Sequence, residues 1–97
     1  KLAPWKNMLV RTPLDGYLGT CAAIAGSDMT ETTRKLTIPV LAMVGENDGA
    51  TLPALVKRTA ELCHAEFHII PAAGHLPCVE QPIETGKLLS RFIEKTA

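Results

Sequence analysis

Ile38-Pro39-Val40-Leu41-Ala42-Met43-Val44-Gly45-Glu46-Asn47-Asp48 is an apolar run that stops at a glycine and then offers a carboxylate. A second stretch, Phe67-His68-Ile69-Ile70-Pro71-Ala72-Ala73-Gly74-His75, has the same build and ends on an imidazole. Apolar runs bounded by Pro and Gly predict strands buried on both faces. Between them, Leu52, Leu55, Val56, Thr59, Leu62 and Cys63 fall on one helical face, and Lys57, Arg58 and Glu61 on the other. Strand, helix, strand is the βαβ unit, whose strands run parallel. Both carboxyl ends then lie on one edge of the sheet, where open α/β sheets place their chemistry. Neighbouring strands sit about 4.8 Å apart, so the loops carrying Asp48 and His75 are expected to meet.

Working outward, the fold class is α/β, with residues 37–97 forming a βαβα unit. Pro82 marks the start of a C-terminal helix whose apolar stripe is Leu88, Leu89, Phe92 and Ile93. Gly86 costs that helix about 1 kcal/mol relative to Ala, which a close approach to the sheet would explain. Leu76-Pro77-Cys78 reads as a turn. Residues 1–36 form a separate helical segment. Trp5, Met8 and Leu9 predict a helix over 3–11, ended by Thr12-Pro13. Leu14-Asp15-Gly16 reads as a turn, and Tyr17, Leu18, Cys21, Ala22, Ile24 and Ala25 as the apolar stripe of a second helix. Asp28 or Thr30 is the candidate cap of a short third helix, and Thr51 of the helix that Pro53 opens.

The 97 residues suit one small domain, and 46% hydrophobic residues supply a core. The first residue is Lys1 rather than Met, so the expectation is a piece of a longer polypeptide. Ten basic and ten acidic residues balance, which argues against nucleic acid or an anionic membrane as the main partner. Three cysteines at wide spacing make no disulfide framework, and reduced thiols in the cytoplasm are the simpler expectation.

Asp48 alone, in a Gly-rich turn, reads equally well as a turn former, and a lone His75 as a structural histidine. In the order strand–Asp, helix, strand–His they match the back half of a Ser-His-Asp arrangement in the chain order Ser, Asp, His. A general base working near neutral pH is well served by imidazole, and a carboxylate beside it fixes its tautomer. No G-x-S-x-G is present. Gly19-Thr20-Cys21-Ala22-Ala23 approaches a cysteine version of that elbow, but no buried strand precedes it, and Cys21 reads better as a small apolar residue within a helix. Cys63, His64, His68, His75 and Cys78 have no zinc spacing.

The run from Thr37 to Asp48, together with Ala72-Ala73-Gly74-His75-Leu76-Pro77-Cys78-Val79-Glu80-Gln81-Pro82, resembles the C-terminal part of an α/β-hydrolase. The stretch Thr12-Pro13-Leu14-Asp15-Gly16-Tyr17-Leu18-Gly19-Thr20-Cys21-Ala22-Ala23-Ile24 resembles the end of the lid region in the 3-oxoadipate enol-lactonase family, bacterial enzymes of aromatic degradation. That resemblance implies lactone hydrolysis giving 3-oxoadipate, with Asp48 as triad acid, His75 as triad base, no cofactor, and residues 1–36 as the lid and its return. Trp5 and Tyr17 would then either wall the pocket or pack. It also implies that the nucleophilic serine and oxyanion hole lie outside this chain. The two strands would be the last pair of a larger sheet, whose open edge would be filled by a second copy, by an N-terminal fragment or by aggregation. Two alternatives stand beside this one: another α/β-hydrolase, either an esterase or a cofactor-free haloperoxidase-like relative, and a non-catalytic piece in which the Asp–His pair is inert.

Overall fold

The computed structural model describes residues 1–97. Its elements run α1 (Ala3–Arg11), α2 (Leu14–Gly26), α3 (Thr30–Arg34), β1 (Leu41–Gly45), α4 (Pro53–Leu62), β2 (Glu66–Ile70), α5 (Pro77–Glu80) and α6 (Pro82–Thr96). β1 and β2 pair in parallel, with Leu41 opposite Glu66 and Gly45 opposite Ile70. They make up the whole of a two-stranded sheet. α4 is the crossover that parallel strands require, and it lies against β1 more than against β2. The boundary expected after residue 36 falls between α3 and β1.

Prolines set several of these elements. Pro4, Pro53, Pro77 and Pro82 each stand in a first helical turn, where the missing N–H costs nothing. α4 ends in a Schellman turn. The Ala65 N–H donates to the Ala60 carbonyl at 2.8 Å and the His64 N–H to that of Glu61 at 3.4 Å, with His64 in the left-handed region at φ 54°. His64 therefore follows the helix rather than closing its last turn. α6 carries Glu84 in its first turn and Lys95 in its last, both matched to the helix dipole.

The two stretches read as turns are helical. Leu14-Asp15-Gly16 opens α2, with Pro13 at the cap position and Asp15 in the first turn. Pro77 opens α5. In both places the proline and acidic residue that punctuate a loop also start a helix.

Burial differs more. Ile70, Ala73 and Leu88 form a small core with Met43 packed on it. Val44, on the opposite face by strand alternation, is also buried, as are Ala60 and Cys63. Ile69 shares the face of Val44 yet is 47% exposed, because α4 is seated over β1. The strands are thus not covered on both faces along their length. On α6, Leu88 is buried, Phe92 half-buried, and Leu89 and Ile93 exposed. Gly86 has no close neighbour: a Cβ there would meet nothing within 4 Å, so sheet approach does not account for it. Every residue from Lys1 to Thr32 is exposed, including the apolar stripe of α2. No helix is long and apolar enough to cross a membrane.

Candidate active site

The strand ends bring two loops together. Beyond β1, the Glu46 N–H donates to the Ile70 carbonyl at 2.9 Å and the Asn47 N–H to the Ala73 carbonyl at 2.8 Å. This closeness depends on Gly45, since a Cβ there would overlap the carbonyl oxygens of Gly74 and Ala73 and lie 2.7 Å from the Ala73 carbonyl carbon. The loop after β2 is fixed in turn by side chains. Glu46 Oε2 accepts from the Ala72 N–H at 3.0 Å, and Gln81 Nε2 donates to the Ala72 carbonyl at 3.4 Å. Ala72 sits at φ 53°, a left-handed conformation that costs a non-glycine residue about 1–2 kcal/mol and persists where surrounding bonds hold it.

Asp48 and His75 meet at the end of these loops. His75 Nδ1 lies 3.0 Å from Asp48 Oδ2 and 3.2 Å from Oδ1. The Asp48 carboxylate is further bonded by the N–H groups of Ala50 and Thr51, each at 2.9 Å, and by the Thr51 hydroxyl at 2.8 Å. Asp48 is 5% exposed, yet its pKa is held well below the usual carboxylate range. The Thr51 N–H is the largest cause, and the Thr51 hydroxyl, His75 and the Ala50 N–H add to it against the opposing pull of burial. An ionised Asp48 only accepts, so the proton on His75 belongs at Nδ1. The lone pair is then on Nε2, at the other edge of a side chain that is 61% exposed. The pair can therefore take a proton at Nε2 and stabilise the resulting imidazolium.

The sequence brings Asp48 and His75 together, and Thr51, expected to cap α4, instead supports Asp48. The Thr51 hydroxyl turns to Asp48, while Leu52 stands at the α4 cap with no side-chain cap bond. An acid followed two and three positions later by free N–H groups is the signature of an Asx-type turn, and Asp48-Gly49-Ala50-Thr51 carries it. Asp28 likewise serves Thr30, through its N–H at 3.0 Å and its hydroxyl. Neither serine meets the pair. The Ser27 hydroxyl bonds the Ile24 carbonyl, and Ser90 lies in α6. Cys21 lies in α2 as expected but is exposed. With Tyr17, Thr12 and Ile24 it lines a groove that includes neither Asp48 nor His75. His68 Nε2 lies 2.8 Å from Glu66 Oε1.

Parallel strands flanked by helices, with an acid after one strand and a histidine after the next, are the arrangement of the α/β-hydrolase fold, and comparison with known proteins agrees. The chain is 31% identical over 86 residues to 3-oxoadipate enol-lactonase 1 of Acinetobacter baylyi, a match covering 89% of this chain and 32% of that enzyme. It superposes on a malate-bound thermophilic esterase from Thermogutta terrifontis with a TM-score of 0.69 and 31% identity, over 71% of this chain and 26% of that one. No family model matches. The chain thus has the fold of part of an α/β-hydrolase and spans about a third of the length of the lactonase that it resembles.

Proposed function

We propose that this chain is the C-terminal part of a carboxylic-ester hydrolase that opens a small enol-lactone, 3-oxoadipate enol-lactone, to 3-oxoadipate. The observation that carries the reading is the bond from His75 Nδ1 to the buried, ionised Asp48, which leaves Nε2 as the base. A serine outside these residues attacks the lactone carbonyl and gives its proton to Nε2. The ring C–O bond then breaks, the departing enol oxygen takes the proton from Nε2, and the released enol tautomerises to the ketone. Water, deprotonated by the same Nε2, attacks the acyl-enzyme, and that proton passes to the departing serine oxygen, which restores the serine and the neutral imidazole. Asp48 holds the tautomer throughout and stabilises the imidazolium. The likeness to the lactonase supports the substrate class. The likeness to the esterase favours a second reading, in which an open-chain ester takes the place of the lactone.

Without that serine the chain alone is expected to be inactive. The test is therefore hydrolysis of the enol-lactone beside a simple aryl acetate by this chain paired with the hydrolase part that carries the serine, in the parent and in two variants. His75→Ala is expected to lower kcat by about 10³-fold or more, and Asp48→Asn by about 10⁴-fold through the wrong tautomer. A preference for the acetate selects the esterase reading. Hydrolysis indifferent to both substitutions would sink both and leave the pair inert.

A further inference from the structure

We propose that Glu80 is a positioning residue for His75: one oxygen of its carboxylate takes the backbone N–H on each side of the histidine and so aims the imidazole at Asp48. Glu80 Oε2 accepts from the Gly74 N–H at 2.9 Å and from the Leu76 N–H at 3.2 Å. An acceptor shared by the residues before and after His75 fixes the direction in which its side chain leaves the backbone. Glu46 and Gln81 hold this loop at Ala72, and Glu80 holds it at the two amides beside His75, whose side chain is exposed.

A second observation points the same way. A Cβ on Gly74 would lie 3.2 Å from Glu80 Oε1 and 3.3 Å from Oε2. Gly74 does not have a positive φ, so its turn does not call for glycine. A side chain there would press on the carboxylate, which would have to give by a few tenths of an ångström. The carrier is α5, a single helical turn whose own placement is secured by the Thr85 hydroxyl of α6 donating to the Pro77 carbonyl at 3.1 Å. Together these bonds link α6 through Pro77 and Glu80 to the two amides that flank His75.

The inference rests on His75 acting as the proton carrier, and its test is chosen to stand apart from that reading. Because both amides use one oxygen, Glu80→Gln keeps the bridge without the charge, and Glu80→Asp keeps the charge without the reach. The first readout is the His75 tautomer, read from imidazole ¹⁵N shifts in the protein, with the strand amide signals as a check on folding. The Nδ1–H form is expected in the parent and in Glu80→Gln. A mixture with the Nε2–H form is expected in Glu80→Asp and Glu80→Ala. On the proposed substrate, kcat is expected to fall roughly 10- to 100-fold in Glu80→Ala, with KM little changed, and to stay within about threefold of the parent in Glu80→Gln. Should Glu80→Ala not fold, the Gln and Asp variants decide. An unchanged tautomer in Glu80→Asp, or a Gln variant as impaired as the Asp variant, overturns the proposal. A tautomer that follows Glu80 in an assembly that includes the serine-bearing part yet turns over no ester would leave the positioning role intact and refute the catalytic one.

Discussion

Asp48 accepts more hydrogen bonds than orienting one histidine requires, and this gives the protein a defined response to acid. Its folded pKa lies below the unfolded value of about 3.9. Its stabilising contribution is therefore complete above that value and is lost as pH falls through the folded pKa. Glu66, lowered by His68 and then by Lys95, and Asp28, lowered by the Thr30 hydroxyl and N–H, act with the same sign. The urea midpoint is expected to hold from about pH 7 to about pH 5 and to fall below about pH 4. Asp48→Asn should lower the midpoint near neutrality and flatten part of the acid fall, with Glu66 and Asp28 keeping the remainder. An acid limb of unchanged slope in that variant would mean that the Asp48 bonds do not distinguish folded from unfolded chain. At this scale the sequence showed the partners but not all of their supports. Asp48 and His75 follow from strand order alone and Thr51 from the spacing of an Asx-type turn, whereas the roles of Glu46 and Glu80 depend on how loops fold back, which no spacing rule reaches.

The elements were legible where their signals are local. An apolar run closed by glycine and a periodic face opened by proline each fix a strand or a helix within a few residues, and β1, α4, β2 and α6 were read so. Leu14 and Pro77 open helices where turns are expected, because one residue set serves both turn and helix start. Burial was misread because periodicity says which face is apolar and not what covers it. Two glycines separate these cases by experiment. Gly45→Ala drives a methyl into the backbone at Ala73 and Gly74 and is expected to cost about 1–3 kcal/mol or more, read by urea denaturation. Gly86→Ala adds a methyl to open space within a helix and is expected to gain about 0.5–1 kcal/mol. A loss at position 86 would show that something outside this chain packs against that face of α6.

For the whole molecule, the surface is too large for the chain. It exposes 7621 Å², against about 5,400 Å² for a folded monomer of this mass, and its radius of gyration is 15.6 Å, against about 12–13 Å for a compact chain of this length. The excess, roughly 2,000 Å², exceeds the ~800 Å² that one partner contributes to a standard interface. Two features account for it. α1 and α2 bury no residue, and each strand has one free edge, which offers unpaired N–H and C=O groups to another strand. Under the proposed function, the rest of a hydrolase covers these surfaces, and a second copy is the substitute when the rest is absent. Alone at micromolar concentration, the 97-residue chain is therefore expected to sediment as a species larger than its 10.4 kDa. Trp5, the only tryptophan, lies exposed on α1, so its emission should shift to shorter wavelength as association proceeds. Co-expression with the preceding part of a hydrolase polypeptide should give a one-to-one complex in its place. A stable monomer with red-shifted Trp5 emission would contradict the expectation, because the βαβα unit would then be holding its fold with the apolar faces of α1 and α2 in water.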